Sequence, residues 1–487
     1  MVREPVVLIL LVAVGACATH PNGAQSLTPA PSVAVPHAVL SDGPLPAPPT
    51  ASRSDVLDRS IRAHMQFLAS DALNGRGSGT RDEWITATYL GAQLARMALE
   101  PMGDDGGFVQ QVEVQRFATS GVPTLSIGER TMTHGDGMLV RSVVAAHVAG
   151  PLRLFVAGQP IEPGSVVVMP DEMPTDAYSV LSRAAIVLSR ETPAARAAWA
   201  ETAQRALAVT PQLVNVPTGG PTNPTWITLD AASHDAAKTA AGGATVTFAA
   251  PITPTTRTKT WNAVGRLPGR EPAGASETIV LSAHLDHVGV REAPADNPTA
   301  DVIFNGADDD ASGVVAVLEV AQALVEGPRP RRTIVVAFFG SEEAGGFGSR
   351  YFVNRPVVPL TNIVANLQFE MLGRPDAMVA PGTLWLTGYE RSTLGPLLAE
   401  HGARLVQDPR LDQRFFERSD NIQFARRGVV AHTVSSFGLH REYHQASDEL
   451  RHINFTHMRD AIASLVAPVR WLADSDVRPS WNEGLRP

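Results

Sequence analysis

The carboxyl-terminal half of the chain alternates short apolar runs with longer amphipathic segments, and this alternation restricts the fold more than any other feature. Each run is rich in β-branched and aromatic residues, which is typical of strands buried on both faces. Strands that alternate with helices predict an α/β fold, with a mostly parallel central sheet and helices on both faces. The strand-like runs are "ETIVLSAHLD", "RRTIVVAFFG", "NIVANLQFEML", "GTLWLTG" and "GVVAHTVS", and the helical segments are "ASGVVAVLEVAQALVEG" and 455–472.

Carboxylates and imidazoles follow these runs at the point where each run ends. The carboxyl ends of parallel strands meet at one edge of a sheet, where functional groups collect. A carboxylate buried there costs several kcal/mol unless a positive group lies beside it. Oxygen and imidazole ligands without a thiolate suit zinc or manganese, and this set is large enough for two ions. The positions are His284 and Asp286, Asp308 to Asp310, Glu342 and Glu343, Glu370, and His444.

Each motif alone also has an ordinary structural interpretation. The aspartates of "GADDDASG" are suited to capping the following helix, and the glutamate pair to a solvated turn. His444 is compatible with a surface position. Their joint occurrence at consecutive strand ends is what favours a metal site over these separate explanations.

Five blocks of the sequence resemble, in order, the motif blocks of the co-catalytic zinc aminopeptidase family that also contains glutamate carboxypeptidase. They are "AHLDHVG", "NGADDDASG", "FFGSEEAGGFGS", "NLQFEMLGR" and "YHQASDE". The segment "LASDALNGRGSGT" is similar to one found ahead of the catalytic part in that family. The resemblance implies a zinc-exopeptidase-like domain built from residues 54–118 and 259–475.

The family pattern implies two zinc ions. His284, Asp309 and Glu370 would hold one ion. Asp309, Glu343 and His444 would hold the other, so that Asp309 bridges the pair. Glu370 is a departure, because many members have the shorter aspartate at that position.

The resemblance also implies catalytic roles for three residues beside the metal ligands. Glu342 would act as the general base that takes a proton from the attacking water. Asp286 would fix the orientation of the His284 imidazole. Tyr443 would donate a hydrogen bond to the developing oxyanion, with simple packing as the alternative.

The segment "RSDNIQF" corresponds to a block that shapes the substrate pocket in the family, so Arg418 and Asp420 are candidates for substrate binding. The alternative is that these two side chains pair with each other on the surface. The implied activity is a zinc-dependent aminopeptidase that releases N-terminal amino acids from peptide substrates.

The amino terminus predicts export. Residues 6–16 form an apolar core that suits a signal peptide and is too short to span a bilayer. Cys17 is the single cysteine, and "VGAC" resembles the lipobox of bacterial lipoproteins, so residues 1–17 are predicted as a signal peptide with Cys17 as the lipidation site. Acyl chains there would hold the protein in the periplasm or cell envelope. Ordinary cleavage after Ala18 is the alternative.

Two further regions differ from the predicted peptidase domain in residue composition and in the pattern of apolar runs. Residues 18–53 are rich in Pro and Ala and predict an extended tether. Residues 119–258 combine short apolar runs with Pro and Gly clusters, lack clustered His, Asp and Glu, and include an Ala-rich helix near 192–208. They predict a mainly β insert, which the resemblance suggests is of the protease-associated type. Residues 476–487 are predicted as a tail.

The bulk composition excludes some functions. Hydrophobic residues make up 44% and charged residues 18% of the 487 positions, as in a globular protein, and the net charge of -9 provides no basic surface for nucleic acid. Three alternatives remain open on the same scaffold: a carboxypeptidase, a glutaminyl cyclase and a non-catalytic receptor. The oligomeric state is not predicted.

Overall fold

The computed structural model describes residues 53–171, 181, 183–216, 224–270, 274 and 276–487. All of them belong to the unit Ala51–Pro487. The predicted signal peptide, Cys17 and nearly all of the predicted tether lie outside the described residues. Among the described helices, none combines the length and the apolar character needed to span a membrane.

Four parallel strands form the centre of a ten-stranded sheet. Every residue of these strands is buried, which explains why the sequence shows uninterrupted apolar runs there. Their carboxyl ends therefore share one edge. The order across the sheet is Thr333–Phe339, Thr278–His284, Ile363–Phe369 and Ala431–Ser435.

The sheet is antiparallel on both sides of this parallel centre. The long strand Ile252–Leu267 pairs antiparallel with Thr333–Phe339 and with Val109–Thr119. At the other edge, Leu384–Leu386 pairs antiparallel with Ala431–Ser435. The predicted α/β class is confirmed, and the parallel arrangement is concentrated in the strands that carry the polar residues. The remaining strands of the sheet are Glu100–Pro101, Gln212–Leu213 and Leu405–Gln407.

Helices cover both faces of the sheet. On one face, Ile279 and Leu281 pack in the same apolar cluster as Leu465. On the other face, Val280 packs in a cluster with Phe424. This alternation along a single strand is the two-sided burial that an α/β sheet requires. The α-helices are Arg53–Leu68, Arg81–Arg96, Pro193–Ala197, Trp199–Gln204, Ala231–Ala240, Gly313–Glu326, Phe347–Asn354, Leu394–Glu400, Asn421–Ala425 and Phe455–Asp474.

The part of the sequence between the strands Val109–Thr119 and Ile252–Leu267, within the predicted insert 119–258, contains a closed eight-stranded barrel. It has its own apolar core, which includes Phe248 and Val246. The single predicted Ala-rich helix is wrong, because two short helices, divided at Ala198, occupy that segment. In order around the barrel, the strands are Thr225–Leu229, Gly137–Val140, Arg130–His134, Thr124–Ile127, Thr245–Ala249, His147–Leu154, Val166–Val168 and Ile186–Arg190.

The segment 476–487 packs against the rest of the chain. The indole N–H of Trp481 donates a hydrogen bond to the carbonyl of Gly428 at 3.1 Å, and its ring contacts Phe416 edge-on. The two short strand pairs outside the sheet and barrel are Gly289–Val290 with Ile303–Phe304, and Ser142–Val143 with Ala208–Val209.

Candidate metal centre and active site

The parallel strands deliver the predicted polar residues to one edge of the sheet. His284 is the last residue of its strand, and Glu370 follows directly after Phe369. Glu342 and Glu343 lie in the turn after Phe339. His444 reaches the same place from a loop, where its backbone has a positive φ of 53°. The convergence that the strand ends predicted is therefore present in the fold.

The turn Ala307–Ser312 gives its three aspartates three different contacts. Asp310 accepts hydrogen bonds from the backbone N–H of Gly313 and Met371, so it caps the following helix as the ordinary interpretation expected. Asp308 accepts from the N–H of Gly373 at 2.7 Å. The carboxylate of Asp309 is not used in this way and faces the histidines.

Asp309 lies between two groups of potential ligands. Its Oδ1 is 3.0 Å from Nε2 of His284, and this pair forms one compact group with Glu370. Its Oδ2 is 3.1 Å from Nε2 of His444, which is also 3.1 Å from Oε1 of Glu343. These are the two ligand sets that the family pattern implied, with Asp309 common to both.

A buried aspartate holds the turn that presents Asp309. Asp448 accepts hydrogen bonds from the backbone N–H groups of Asp308 and Asp309 at 3.0 and 3.1 Å. Burial raises the pKa of Asp448 to about 6, and the nearby Asp308 carboxylate adds to this shift. Sequence analysis missed Asp448, although it lies in the same block as His444, in "YHQASDE".

His287 is a second residue of the site that sequence analysis missed. Its imidazole is fully buried, and its Nδ1 lies 2.8 Å from Oε1 of Glu343 and 3.9 Å from Oδ2 of Asp309. It therefore completes a group of four with Asp309, Glu343 and His444. The available signal was the second histidine of "AHLDHVG", three positions after His284.

The donor atoms fit zinc. The ligands are carboxylate oxygens and imidazole nitrogens, and their mutual separations near 3 Å suit atoms that share one small cation. Oε1 of Glu343 and Oε2 of Glu370 are buried without a hydrogen-bond partner among the described residues. Buried carboxylate oxygens of this kind are costly unless a cation lies beside them.

The electrostatics of the site are dominated by close contacts between opposite charges. Burial alone would raise the pKa of Asp309, but its contacts with His284 and His444 outweigh this and hold that pKa well below its ordinary value. Burial lowers the pKa of His444, yet the Asp309 and Glu343 carboxylates raise it to about 10. The carboxylates thus create a strongly negative site that attracts cations.

Glu342 lies beside these groups and belongs to neither of them. Burial, opposed by His284, raises the pKa of its carboxyl well above the ordinary value, and the Asp420 carboxylate adds to the increase. Its backbone N–H donates to Oδ1 of Asp286 at 2.9 Å. Glu342 is therefore anchored by its main chain while its side chain remains outside the ligand sets.

The contacts of Asp286 differ in part from the expected role. Nδ1 of His284 lies 3.2 Å from the backbone carbonyl oxygen of Asp286 and 3.8 Å from its carboxylate. The carboxylate instead accepts hydrogen bonds from the Glu342 backbone and from the hydroxyl of Ser78. Asp286 therefore contacts His284 mainly through its main chain, and its side chain positions Glu342.

A cleft with an empty volume of about 370 Å³, part of which is open to solvent, adjoins Glu370. Its walls include the aromatic rings of Trp385, Phe415 and Phe437. Tyr443 also lines it, stacked on His444 with ring centroids 4.0 Å apart. A largely aromatic pocket beside a candidate metal ligand is suited to an apolar side chain of a substrate.

The surface pair considered for Arg418 and Asp420 is wrong. Asp420 is buried and accepts a hydrogen bond from the hydroxyl of Ser349. Arg418 is exposed, lies over the ring of Phe415, and has a guanidinium nitrogen 3.5 Å from the Tyr443 hydroxyl. The two side chains line different parts of the site.

The insert contains a cluster that sequence analysis did not expect. His234 is buried, with Nδ1 3.5 Å from Asp171, and Asp235 lies in the same group. Arg190 contacts the carboxylates of both Asp171 and Asp235, and Lys238 lies 3.3 Å from Asp171. Because these cationic side chains already neutralise the carboxylates, the cluster is an ion-pair network of the barrel surface.

Comparisons with known proteins identify the segment that carries the site. Residues 262–468 match the model of Peptidase family M28. Leupeptin-inactivating enzyme 1 of Streptomyces exfoliatus is 27% identical over 232 residues, which are 43% of this chain and 48% of that protein. Probable lipoprotein aminopeptidase LpqL of Mycobacterium tuberculosis is 37% identical over 105 residues, which are 21% of this chain and 18% of that protein. The chain thus spans about half or less of the length of these relatives.

Two solved structures align with most of the chain. The aminopeptidase from Aneurinibacillus sp. strain AM-1 is 18% identical with a TM-score of 0.47, over 86% of this chain and 95% of that chain. The zinc aminopeptidase BSAP from Bacillus subtilis is 17% identical with a TM-score of 0.47, over 86% and 96% of the two chains.

Both candidate metal groups lie inside the segment matched by the family model. The resemblance to co-catalytic zinc aminopeptidases and glutamate carboxypeptidase, stated from the motif blocks, is confirmed, because residues 262–468 are similar to Peptidase family M28.

Proposed function

We propose that the protein is a zinc-dependent exopeptidase that releases N-terminal amino acids from peptides. The observation that carries the proposal is the geometry around Asp309, whose two carboxylate oxygens face two separate ligand groups while Glu342 lies outside both. One zinc would be held by His284, Asp309 and Glu370, and a second by Asp309, Glu343 and His444. Relatives that are named aminopeptidases support the peptidase activity.

The chemistry that two bound zinc ions supply is to lower the pKa of a water and to polarise the scissile carbonyl. Glu342 would accept the proton that this water loses as its oxygen bonds to the carbonyl carbon. The same carboxyl then gives the proton to the leaving nitrogen as the C–N bond breaks, which completes addition of one water. Tyr443 would donate a hydrogen bond from its hydroxyl group to the oxyanion.

The surplus of carboxylates favours a free amino terminus over a free carboxylate as the group that the site recognises. Burial raises the pKa of the Asp420 carboxyl to about 7, and the nearby Asp286 carboxylate adds to that shift. A buried carboxyl that is hard to ionise beside another carboxylate would be stabilised by a substrate ammonium. Arg418 is the one cationic side chain among the described residues that line the aromatic cleft, and it would be the anchor if the protein were a carboxypeptidase.

A panel of substrates tests the proposed activity. We expect the purified protein to release nitroaniline from aminoacyl-nitroanilides with free amino groups, fastest for large apolar residues because of the aromatic cleft, and to leave N-blocked peptides intact. The measurement is initial rate across the panel, with metal content determined on the same sample. About two zinc ions per active chain are expected.

Other outcomes of this panel would identify the alternatives. Cleavage of N-blocked peptides at their carboxyl ends would indicate a carboxypeptidase. Cyclisation of N-terminal glutamine without peptide hydrolysis would indicate a glutaminyl cyclase. An inactive protein that purifies without metal would indicate a receptor or binding protein.

We also propose that the protein is exported and anchored through acylated Cys17, in the periplasm or cell envelope. The support is the sequence "VGAC" after an apolar core, with no second cysteine in the chain. We expect mass spectrometry of the mature protein to find an acylated Cys17 as the first residue, and Cys17→Ser to abolish membrane association. A mature protein that begins at Thr19 would contradict the lipid anchor. The assignment of the barrel as a protease-associated-type insert likewise stays a prediction.

A further inference from the structure

His287 is a buried imidazole that the proposed mechanism does not use. Its side chain has no exposed surface, and it follows the strand Thr278–His284 in the turn that also presents Asp286. Its ring meets the ring of His444 edge-on, with centroids 5.5 Å apart. Both imidazoles therefore reach the same pair of carboxylates, those of Asp309 and Glu343, from different sides.

The short contact between His287 and Glu343 is not a hydrogen bond. Nδ1 of His287 and Oε1 of Glu343 are 2.8 Å apart, yet both atoms are buried without an aligned hydrogen-bond partner among the described residues. Nδ1 and the carboxylate oxygen are therefore close together, but the in-plane direction from Nδ1 does not point at that oxygen. Leaving such groups buried and unpaired is energetically unfavourable. Nε2 of His287 also lacks a partner among the described residues, so the other side of the ring does not explain its position.

Two other buried histidines of the same domain, His432 and His64, have ordinary hydrogen-bond partners. His432 has one ring nitrogen 2.7 Å from the Ser392 hydroxyl and the other 2.7 Å from the carbonyl oxygen of Thr387. His64 has Nδ1 2.6 Å from the Tyr89 hydroxyl. His287 differs from these two because its Nδ1 lies within 4 Å of two carboxylates that are themselves candidate metal ligands.

The separations around His287 match those of atoms that share one ion. Its Nδ1 is 2.8 Å from Glu343 and 3.9 Å from Asp309, and Nε2 of His444 is 3.1 Å from each of the same two carboxylates. Four ligands at about 2.0 to 2.1 Å in a tetrahedral zinc site are about 3.3 Å from one another. The observed separations between these nitrogen and oxygen atoms include distances both shorter and longer than this tetrahedral value.

We propose that His287 is an additional ligand, through Nδ1, of the metal position formed by Asp309, Glu343 and His444. The inference rests on the proposed function and makes the two positions unequal. The position of His284, Asp309 and Glu370 has three protein ligands, while the position that includes His287 has four. The four-ligand position should retain its ion longer against a chelator, and the three-ligand position should exchange first.

Metal titration of the full chain tests this role. We expect metal-free wild-type protein to bind two Zn²⁺ or Co²⁺ ions, and His287→Ala to lose at least about 100-fold in affinity at one position, in line with loss of a direct ligand. The visible spectrum of bound Co²⁺ should change, because one of its ligands changes. The increase in unfolding temperature on adding metal should shrink in the variant, since stabilisation follows the affinity of the folded state.

Two further variants separate ligation from packing and from hydrogen bonding. His64→Ala removes another buried imidazole from the same domain, and it should keep wild-type affinity for both ions. His287→Gln keeps an N–H donor for Glu343, so it would restore metal affinity if His287 acted only by a hydrogen bond, and we expect it not to. If His287→Ala or His287→Gln binds both ions with wild-type affinity, the assignment of His287 is wrong and the proposed function stands. If the wild type itself binds no metal, the proposed function fails first.

Discussion

Replacing Glu342 with glutamine is expected to lower kcat by about 10²- to 10⁴-fold while both metal ions remain bound. The carboxylate belongs to neither ligand group, so its loss removes a proton acceptor without removing a metal ligand. Glutamine has nearly the same shape, and the backbone N–H that donates to Asp286 is unchanged. The measurement is steady-state kinetics on an aminoacyl-nitroanilide together with zinc content.

The pH dependence of the two proteins provides a second readout. Burial, opposed by His284, raises the pKa of Glu342 well above its ordinary value, with Asp420 adding to the increase. Only the ionised carboxylate accepts a proton, so wild-type activity should fall as the pH is lowered through this raised pKa. That acidic limb should be absent from the residual activity of Glu342→Gln.

A matched replacement shows whether the effect is local. Glu292 is exposed in a loop outside both metal groups, and Glu292→Gln should keep wild-type kcat and metal content. A Glu342→Gln protein with two bound ions and near wild-type turnover would exclude Glu342 as the general base.

The strand ends were predictable from the sequence because burial on both faces has a clear signature. The apolar runs that lead to His284, Glu342 and Glu370 are the fully buried parallel strands of the structure. Parallel strands align their carboxyl ends, so the order of motifs along the chain was sufficient to bring these residues together. The direction of the edge strands was not predictable in this way, because an apolar run has the same residue pattern in parallel and in antiparallel pairing.

The supporting residues were harder to predict because their role depends on contacts between distant parts of the chain. Asp448 holds the backbone of Asp309 from 139 positions away. His287 has no partner close in sequence that would mark it as more than a core histidine. The segment "RSDNIQF" predicts Asp420 as a substrate-binding residue, or as a surface partner of Arg418, but its burial against Ser349 follows from packing that no local pattern records.

The aromatic cleft depends on one buried ion pair that the sequence also did not reveal. Asp376 is 3% exposed, and its two carboxylate oxygens accept hydrogen bonds from the two terminal nitrogens of the Arg410 guanidinium. The same carboxylate accepts the indole N–H of Trp385 at 3.1 Å. Arg410 also donates to the backbone carbonyl of Phe437 at 3.4 Å. This pair therefore connects two aromatic walls of the cleft.

Asp376→Ala is expected to destabilise the protein by about 3 to 5 kcal/mol, because the Arg410 charge would remain buried without its partner. The Trp385 N–H would lose its acceptor as well, so the cleft wall should loosen. We expect KM for large apolar aminoacyl substrates to rise more than KM for alanyl substrates. The measurements are the urea midpoint of unfolding and KM across the substrate panel.

Two comparisons make this expectation specific. Asp412→Ala removes an exposed carboxylate whose side chain accepts from Gln413, and it should leave both the urea midpoint and the KM values near wild type. The double replacement Asp376→Leu with Arg410→Met removes both charges together, so it should recover part of the lost stability. It should not recover substrate discrimination, because Trp385 would still lack the acceptor that holds its ring against the cleft. Wild-type stability in Asp376→Ala would contradict the role of the ion pair.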